Sequence, residues 1–459
     1  MAVLLSQSVA AQPVSVQDTA VQSSADPAAV CASRPDRGLD WQHAQRRLIE
    51  CNRDVRIAVR TARAAQTDII TAGQRPNPVL STGVGQYAPS VGLGSGGPLD
   101  WQLDWLARYD QTIERGNKRG LRIESAQNAW IASQWDAVNT LRQQQLALAL
   151  NWIDLWGAQE KVRLQREITS LFRRTLDAAQ IRLKAGDIAA NDVARIHLDL
   201  QRSESDQIVA DAELSRARNT LAALLAIDAS PVELTANEPW AVLAVEPDVS
   251  RQPLDDAALE GRPDLQAARA QQAAAEARSR LARSLQTRDV SVGLQVDRYA
   301  PPSGLGWLFG VYVSFPLFLN HRYEGEIARA EADVAIAHLT RDRVEKQARA
   351  DYQRLLEART LAQRRQARIE LEALPLAEKV AANADLAYRK GAGSVLELLD
   401  ALRQLRALQL EALTARLEVD RADASARAER LGDRALTDPV FGGILSLRPE
   451  PPESTTSVK

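Results

Sequence analysis

The stretch from Arg288 to Phe318, RDVSVGLQVDRYAPPSGLGWLFGVYVSFPLF, carries the clearest β signal in a chain that otherwise reads as helix. Val290, Val292, Leu294 and Val296 alternate with Ser291, Gly293, Gln295 and Asp297, the period of a strand with one apolar and one polar face. A turn built on Ala300-Pro301-Pro302-Ser303-Gly304 follows. The return run places Trp307, Phe309, Val311, Val313 and Phe315 on one face and Leu308, Gly310, Tyr312 and Ser314 on the other. Two strands of about ten residues match the length of a membrane-spanning β-strand. With aromatics on one face and small or polar groups on the other, the simplest assignment is lipid outside and a wet lumen inside.

A second hairpin, Pro76 to Tyr109, repeats the pattern. Leu80, Thr82 and Val84 alternate with Ser81, Gly83 and Gly85, then Leu99, Trp101, Leu103 and Trp105 with Asp100, Gln102 and Asp104. Gln86-Tyr87-Ala88-Pro89 matches Arg298-Tyr299-Ala300-Pro301 at the turns, which points to internal duplication. Trp101, Leu103, Trp105, Phe309, Val311 and Val313 are therefore expected to face lipid.

The rest of the chain is organised around these hairpins. A helix is predicted from about Leu39 to Ala72, stopped by Gly73 and Pro76. Gly116 to Lys184 contains no proline and reads as one helix about 100 Å long at 1.5 Å per residue. Lys184-Ala185-Gly186-Asp187 breaks it, and a helix returns from about Ala189 to Leu225. The second half repeats the order: a helix from Pro263 to about Leu285, the hairpin, a helix from about Glu324 to Arg389, a break at Lys390-Gly391-Ala392-Gly393, and a helix from Val395 to about Leu431. Placing Gly186 on Gly391 puts Asp192 on Glu397 without a gap. The predicted division is an N-terminal segment (1–36), a first repeat (37–227, hairpin 76–109), an irregular connector (228–261), a second repeat (262–432, hairpin 288–318) and a tail (433–459). Leu141, Leu146, Leu148, Leu155 and Leu164 suggest lateral coiled-coil packing, and Trp152 and Trp156, on one helical face, read as core.

Composition sets bounds. A net charge of −2 gives no electrostatic reason to expect nucleic acid. No apolar run approaches the roughly 18 residues of a membrane helix, so a membrane-spanning chain would have to be a barrel. No Lys or Arg precedes Arg34, so the N-terminus reads as a degenerate or truncated signal, with a disordered cytosolic tail as the alternative. Cys31 and Cys51, the two cysteines of the chain, could pair in an oxidising periplasm or stay as small unpaired hydrophobes. His43, His197, His321 and His338 lack ligand spacing, so no dedicated metal site is expected. With Met1 the single methionine, a thioether path for soft copper ions is missing as well. No catalytic constellation is visible, and neither enzyme activity nor a cofactor is expected.

Four membrane strands leave two open edges, which hydrocarbon does not tolerate, so the sheet must close by joining copies of itself. Two copies give eight strands and a filled barrel; three give twelve and a lumen.

The twofold order of helix, hairpin, long helix, Gly turn and helix is one sign of kinship. RPDLQAARA (Arg262 to Ala270), VSFPLF (Val313 to Phe318), EIARAEAD (Glu326 to Asp333) and YRKGAGSVLELLDA (Tyr388 to Ala401) are others. Together they resemble the TolC-like outer-membrane factor family over about Leu39 to Leu431. The resemblance implies an α+β membrane protein of long helices forming a periplasmic α-barrel, with four β-strands per chain and a trimer closing a twelve-stranded β-barrel. It implies a periplasmic adaptor and an inner-membrane RND-type transporter as partners, in the outer membrane of a Gram-negative bacterium. RDVSVGLQVDRY (Arg288 to Tyr299) and GNKRG (Gly116 to Gly120) resemble the heavy-metal, cobalt-zinc-cadmium branch; multidrug or type I secretion export is the alternative. An elongated coiled-coil adaptor or scaffold is a different class, but adaptors lack paired aromatic hairpins between helices of this length.

The resemblance also places a candidate site at the periplasmic tip. Acids after the second Gly turn line the family's narrow entrance and carry over to Glu397 and Asp400, with Asp192 at the matching place in the first repeat. The tip turns Gly186, Asp187, Gly391 and Gly393 would meet the adaptor. Ser394-Val-Leu-Glu397 is also a capping box, so Glu397 has a competing structural duty, whereas Asp400 has none. Some family members lock the entrance with an arginine two residues past the Gly; this chain has Gly393 there.

Overall fold

The computed structural model describes residues 31, 38–85, 104–227, 234–243, 259–299 and 306–430. In chain order the elements are β1 (Gly38–Leu39), α1 (Trp41–Cys51), α2 (Arg53–Gly73), β2 (Val79–Gly85), β3 (Asp104–Ile113), α3 (Lys118–Lys184), α4 (Ala190–Leu224), β4 (Thr235–Ala236), α5 (Trp240–Leu243), α6 (Pro263–Ser284), β5 (Val290–Arg298), β6 (Trp307–Ser314), α7 (Glu324–Arg368), α8 (Leu374–Arg389) and α9 (Val395–Arg430). No described helix is long and apolar enough to cross a membrane.

The four long strands form one antiparallel sheet in the order β2-β3-β5-β6. Its central pair joins the two hairpins: Tyr109 lies opposite Leu294, and Thr112 opposite Ser291. The alternation therefore runs in register across all four strands. Leu80, Tyr109, Leu294 and Val311 form one row; Ser81, Arg108, Gln295 and Gly310 form the next, on the opposite face. β3 continues through Ile113, past the predicted hairpin end at Tyr109. The cause is that Asp110 to Ile113 keep pairing with Val290 to Gly293, although three of the four are polar and apolar alternation alone does not mark them as strand.

The helices run away from one end of the sheet. α3 spans 67 residues, about 100 Å at 1.5 Å per residue, and packs along α2, α4, α6 and α9. The two largest of the buried clusters sit at different levels of the bundle. At one level Trp152 is 1% exposed, meets Trp41 edge-on with ring centroids 5.4 Å apart, and donates from Nε1 to the Glu238 carbonyl at 3.0 Å. Trp41 meets Trp240 in the same way. Leu234, Ala236 and Trp240 are buried here, and β1 pairs with β4, so the described part of the expected irregular connector is an ordered layer of the core. Farther along, Ile168, Phe172, Leu176, Ile196 and Leu200 pack against Tyr388, Val395, Leu398, Leu399 and Leu402, joining the two helical hairpins near their tips.

Two helices expected to be continuous are interrupted. The run expected from Leu39 to Ala72 breaks at Asn52, whose side chain accepts from the Asp54 and Val55 N–H groups at 3.0 and 3.1 Å and donates to the Leu224 carbonyl at 2.9 Å. An asparagine cap starts α2 and anchors it to the end of α4. The run expected from Glu324 to Arg389 contains a π-helical turn at Ile369–Ala373. Pro375 follows after Leu374; it offers no N–H and would crowd the carbonyl four residues back, and the wider turn relieves both defects.

Cys31 and Cys51 are joined by a disulfide with Cα atoms 5.5 Å apart. Beside it Arg47 donates to the carbonyls of Cys31 at 2.9 Å and Leu225 at 3.1 Å, so one guanidinium links residue 31 to the end of α4.

Candidate functional site

The sheet presents two chemically different faces. On one, Leu80, Val84, Tyr109, Leu294, Trp307, Phe309, Val311 and Val313 are all exposed, with Phe309 76% and Val311 72% accessible. Water would not hold such a face uncovered. Trp105 shares a row with Val84, Arg298 and Trp307 and is half-buried. Trp101 and Leu103 lie outside the described residues. The opposite face is polar and internally bonded. Arg108 makes an ion pair with Asp110 at 2.8 Å and stacks over the Tyr312 ring at 4.7 Å. Gln295 donates to Asp297 at 2.9 Å, and Thr112 and Ser291 share a hydrogen bond of 3.0 Å.

Where sheet becomes bundle, the GNKRG tract forms the joint. Gly116 has φ of +72°, and a Cβ there would lie 2.9 Å from that of Thr287. Asn117 is left-handed as well, turning the chain from β3 into α3. The buried Lys118 ammonium donates to the Thr287 carbonyl and to Asp289 Oδ1, both at 2.8 Å, and Asp289 also accepts from the Arg115 N–H at 2.9 Å. One carboxylate and one ammonium thus lock the two hairpins at the same height. Arg122 clasps Glu114, and that hydrogen bond holds the Glu114 carboxyl below the usual range. In the sequence the GNKRG tract carries only a family resemblance, which attaches no partner to Lys118.

At the far end the two Gly turns share one geometry. Gly186 has φ of +83° and Gly391 of +73°. Each is followed by an N–H that reaches back five residues, Asp187 to Arg182 and Ala392 to Ala387, both at 2.9 Å, the bonding of a Schellman end. Neither glycine has an atom within 4 Å of a Cβ position, so positive φ alone requires glycine. Gly393 is different: its Cβ would lie 3.1 Å from that of Ala387.

The acids sit on the starts of the returning helices. Ser394 and Glu397 form both halves of the capping box, at 3.1 and 3.2 Å. Asp400 is exposed and accepts from Gln404 at 2.9 Å. Glu397 and Asp400 share the face opposite the buried Leu398, Leu399 and Leu402. Asp192 is half-buried and Asp187 exposed. The bonds that bind the tips together lie elsewhere. Arg182 donates to the Tyr388 carbonyl at 2.9 Å and stacks on its ring at 4.7 Å. Arg403 grips the buried Asp199 with both oxygens engaged, the shortest contact 2.7 Å, and Arg406 pairs with Asp206. Asp199 was missed as a site residue because a single acid in a helical run reads as solvated surface.

Higher on α9, Asp420 is 5% exposed, with Oδ2 unpartnered. Burial pushes its carboxyl up to about 6, against the pull of Arg416 and with the help of Asp423. Among the described residues no group of three His, Cys, Asp or Glu side chains could hold a metal ion.

Comparison with known proteins agrees with this geometry. Residues 254–428 match the family described as outer membrane efflux protein. The chain is 25% identical over 356 residues to the cobalt-zinc-cadmium resistance protein CzcC of Cupriavidus metallidurans, covering 77% of this chain and 81% of that protein. Among solved structures it is similar to the outer-membrane channel OprN, at TM-score 0.68 and 20% identity over 85% of this chain and 89% of that one. It is likewise similar to the open state of the Neisseria gonorrhoeae MtrE outer membrane channel, at 0.69 and 19% over 85% and 88%. A split-faced four-stranded sheet carried on helices of this length thus accompanies a fold similar to solved outer-membrane channels and, over residues 254–428, a match to the outer membrane efflux protein family.

Proposed function

We propose that this protein is the outer-membrane exit duct of a tripartite RND-type efflux pump, and that its cargo is divalent heavy-metal cations. The observation that carries the duct is the open sheet. β2 and β6 are its outer strands, and in an all-antiparallel order of four they run in opposite directions. β6 of one copy can therefore pair with β2 of the next without breaking the alternation. Three copies make twelve strands around a lumen, with the apolar face to lipid and the Arg108–Asp110 face to water. The long helices continue the tube into the periplasm of a Gram-negative host, where the Gly186 and Gly391 turns meet an adaptor that bridges to the transporter.

The metal assignment rests on the similarity to CzcC. The GNKRG tract adds little to it, because its residues are occupied in joining sheet to bundle. Divalent ions are cargo in this reading and are not held: a duct works by entry and exit rather than capture. Deleting the protein should sensitise its host to cobalt, zinc or cadmium more than to antibiotics, and cross-linking of the outer-membrane fraction should give trimers. Unchanged metal tolerance with clear drug sensitivity would transfer the duct to multidrug export, and absence from the outer-membrane fraction would remove the duct itself.

A further inference from the structure

Two glycines within strands of the sheet have no conformational reason to be there. Gly293 and Gly310 lie within β5 and β6, and neither has a positive φ. Glycine in a strand interior weakens it, because it has no side chain to pack and more backbone freedom to lose, so something else must favour it here. The neighbours supply the reason. A Cβ on Gly293 would fall on Oδ1 of Asp110 and lie 3.3 Å from Nε of Arg108; one on Gly310 would lie 2.9 Å from Cε2 of Tyr312.

The register explains how three side chains come to lie over two glycines. Asp110, Gly293 and Tyr312 form one row, and Arg108, Gln295 and Gly310 form the adjacent row on the same polar face. Tyr312 leans along its own strand over Gly310, which brings its ring under the Arg108 guanidinium at 4.7 Å. Arg108 reaches the other way, with Nε and Nη2 both on Asp110 Oδ1 at 2.9 and 2.8 Å, and Asp110 rests over Gly293. Ion pair and cation–π contact link all three into one layer lying against the sheet.

We propose that Gly293 and Gly310 are recesses that hold Arg108, Asp110 and Tyr312 flat against the barrel wall, and that this layer sets the widest solute the barrel lumen admits. The proposal rests on reading the polar face as the lumen. A closed barrel repeats the layer once per copy, making a girdle around the bore; alanine at either glycine would lift its side chain into the bore at every repeat.

Ser314→Cys provides the probe. Ser314 lies opposite Ser291 at the helix-side end of the polar face, so a reagent entering from outside the cell must first pass the girdle. The two native cysteines are joined to each other and do not react. On intact cells, a small membrane-impermeant maleimide and a bulky polyethylene-glycol maleimide are compared. The small reagent should label Ser314→Cys equally with and without Gly293→Ala or Gly310→Ala, whereas the bulky one should label several-fold more slowly in both alanine variants. Adding Tyr312→Ala to Gly310→Ala should restore bulky labelling. Unchanged bulky labelling in both glycine variants overturns the proposal. So does a Gly310→Ala protein that fails to assemble and is not rescued by Tyr312→Ala, because the glycine would then serve the backbone. If even the small reagent cannot reach Ser314→Cys in the otherwise unaltered chain, the lumen reading fails and the proposal falls with it.

Discussion

Residues on the two faces of β6 should respond differently to the same substitution. Val311 is 72% exposed in the chain and shares the row of Leu80, Tyr109 and Leu294, near the middle of the strand. An arginine facing hydrocarbon near the bilayer midplane costs about 2–4 kcal/mol, which at 1.4 kcal/mol per decade is roughly a 30- to 700-fold loss in the assembled population for each chain. Leu308 is on the other face, in the row of Gly83, Leu106 and Asp297. Arginine there enters water and gains a carboxylate directly across the strand pair, worth about 0.2–1 kcal/mol. Val311→Arg should therefore deplete heat-resistant oligomers from the outer-membrane fraction, while Leu308→Arg leaves their abundance near that of the parent. Equal depletion by both, or depletion by Leu308→Arg alone, would refute the facing and with it the barrel.

At the tip, Asp400→Asn should lower cation selectivity in reconstituted bilayers with little effect on stability. Glu397→Gln should also destabilise, because it breaks a formed capping box worth about 1 kcal/mol. Intact trimers of the double variant with unchanged selectivity would move the entrance to Asp192 or to basic residues by the turn. Asp420 concerns stability. Its folded carboxyl at about 6 stands above the ordinary 3.8, so the charged form is disfavoured in the fold. Stability is therefore reduced at neutral pH and recovers progressively as pH falls from about 6 towards 3.8, by about 2–3 kcal/mol in all. Asp420→Asn should raise the apparent melting temperature in detergent at pH 7.5, with a gain that shrinks by pH 5; a destabilised variant together with a parent insensitive to this pH range would contradict the assignment.

Periodicity and glycine carried most of the architecture. Alternation in Val290 to Val296 and in Trp307 to Val313 marked strands and their faces, because a one-residue slip would mix Ser291, Gly293 and Gln295 with the apolar set. Gly186 and Gly391 marked the hairpin tips because positive φ leaves glycine little competition there. Interactions between distant segments were not legible. Asn52 was absorbed into a helical run because its cap is local while its anchor, the Leu224 carbonyl, is 172 residues away. GNKRG reads in sequence as a family resemblance, whereas Lys118 and Gly116 answer to Thr287 and Asp289 beside the other hairpin. Pro375 lies inside a run that reads as one helix from Glu324 to Arg389, and apolar periodicity does not show that a π turn at Ile369–Ala373 accommodates it. The acids Glu397 and Asp400 could be put on one face from their three-residue spacing, whereas the face's neighbour depends on a second copy.

The unpaired outer edges of β2 and β6 also have a genetic consequence. If three copies close one sheet, a subunit altered at either edge spoils every ring that includes it. In a cell making equal amounts of sound and damaged chains, random mixing leaves only about one ring in eight wholly sound. Edge lesions should thus behave as dominant poisons, while a simple deletion of the same chain is recessive.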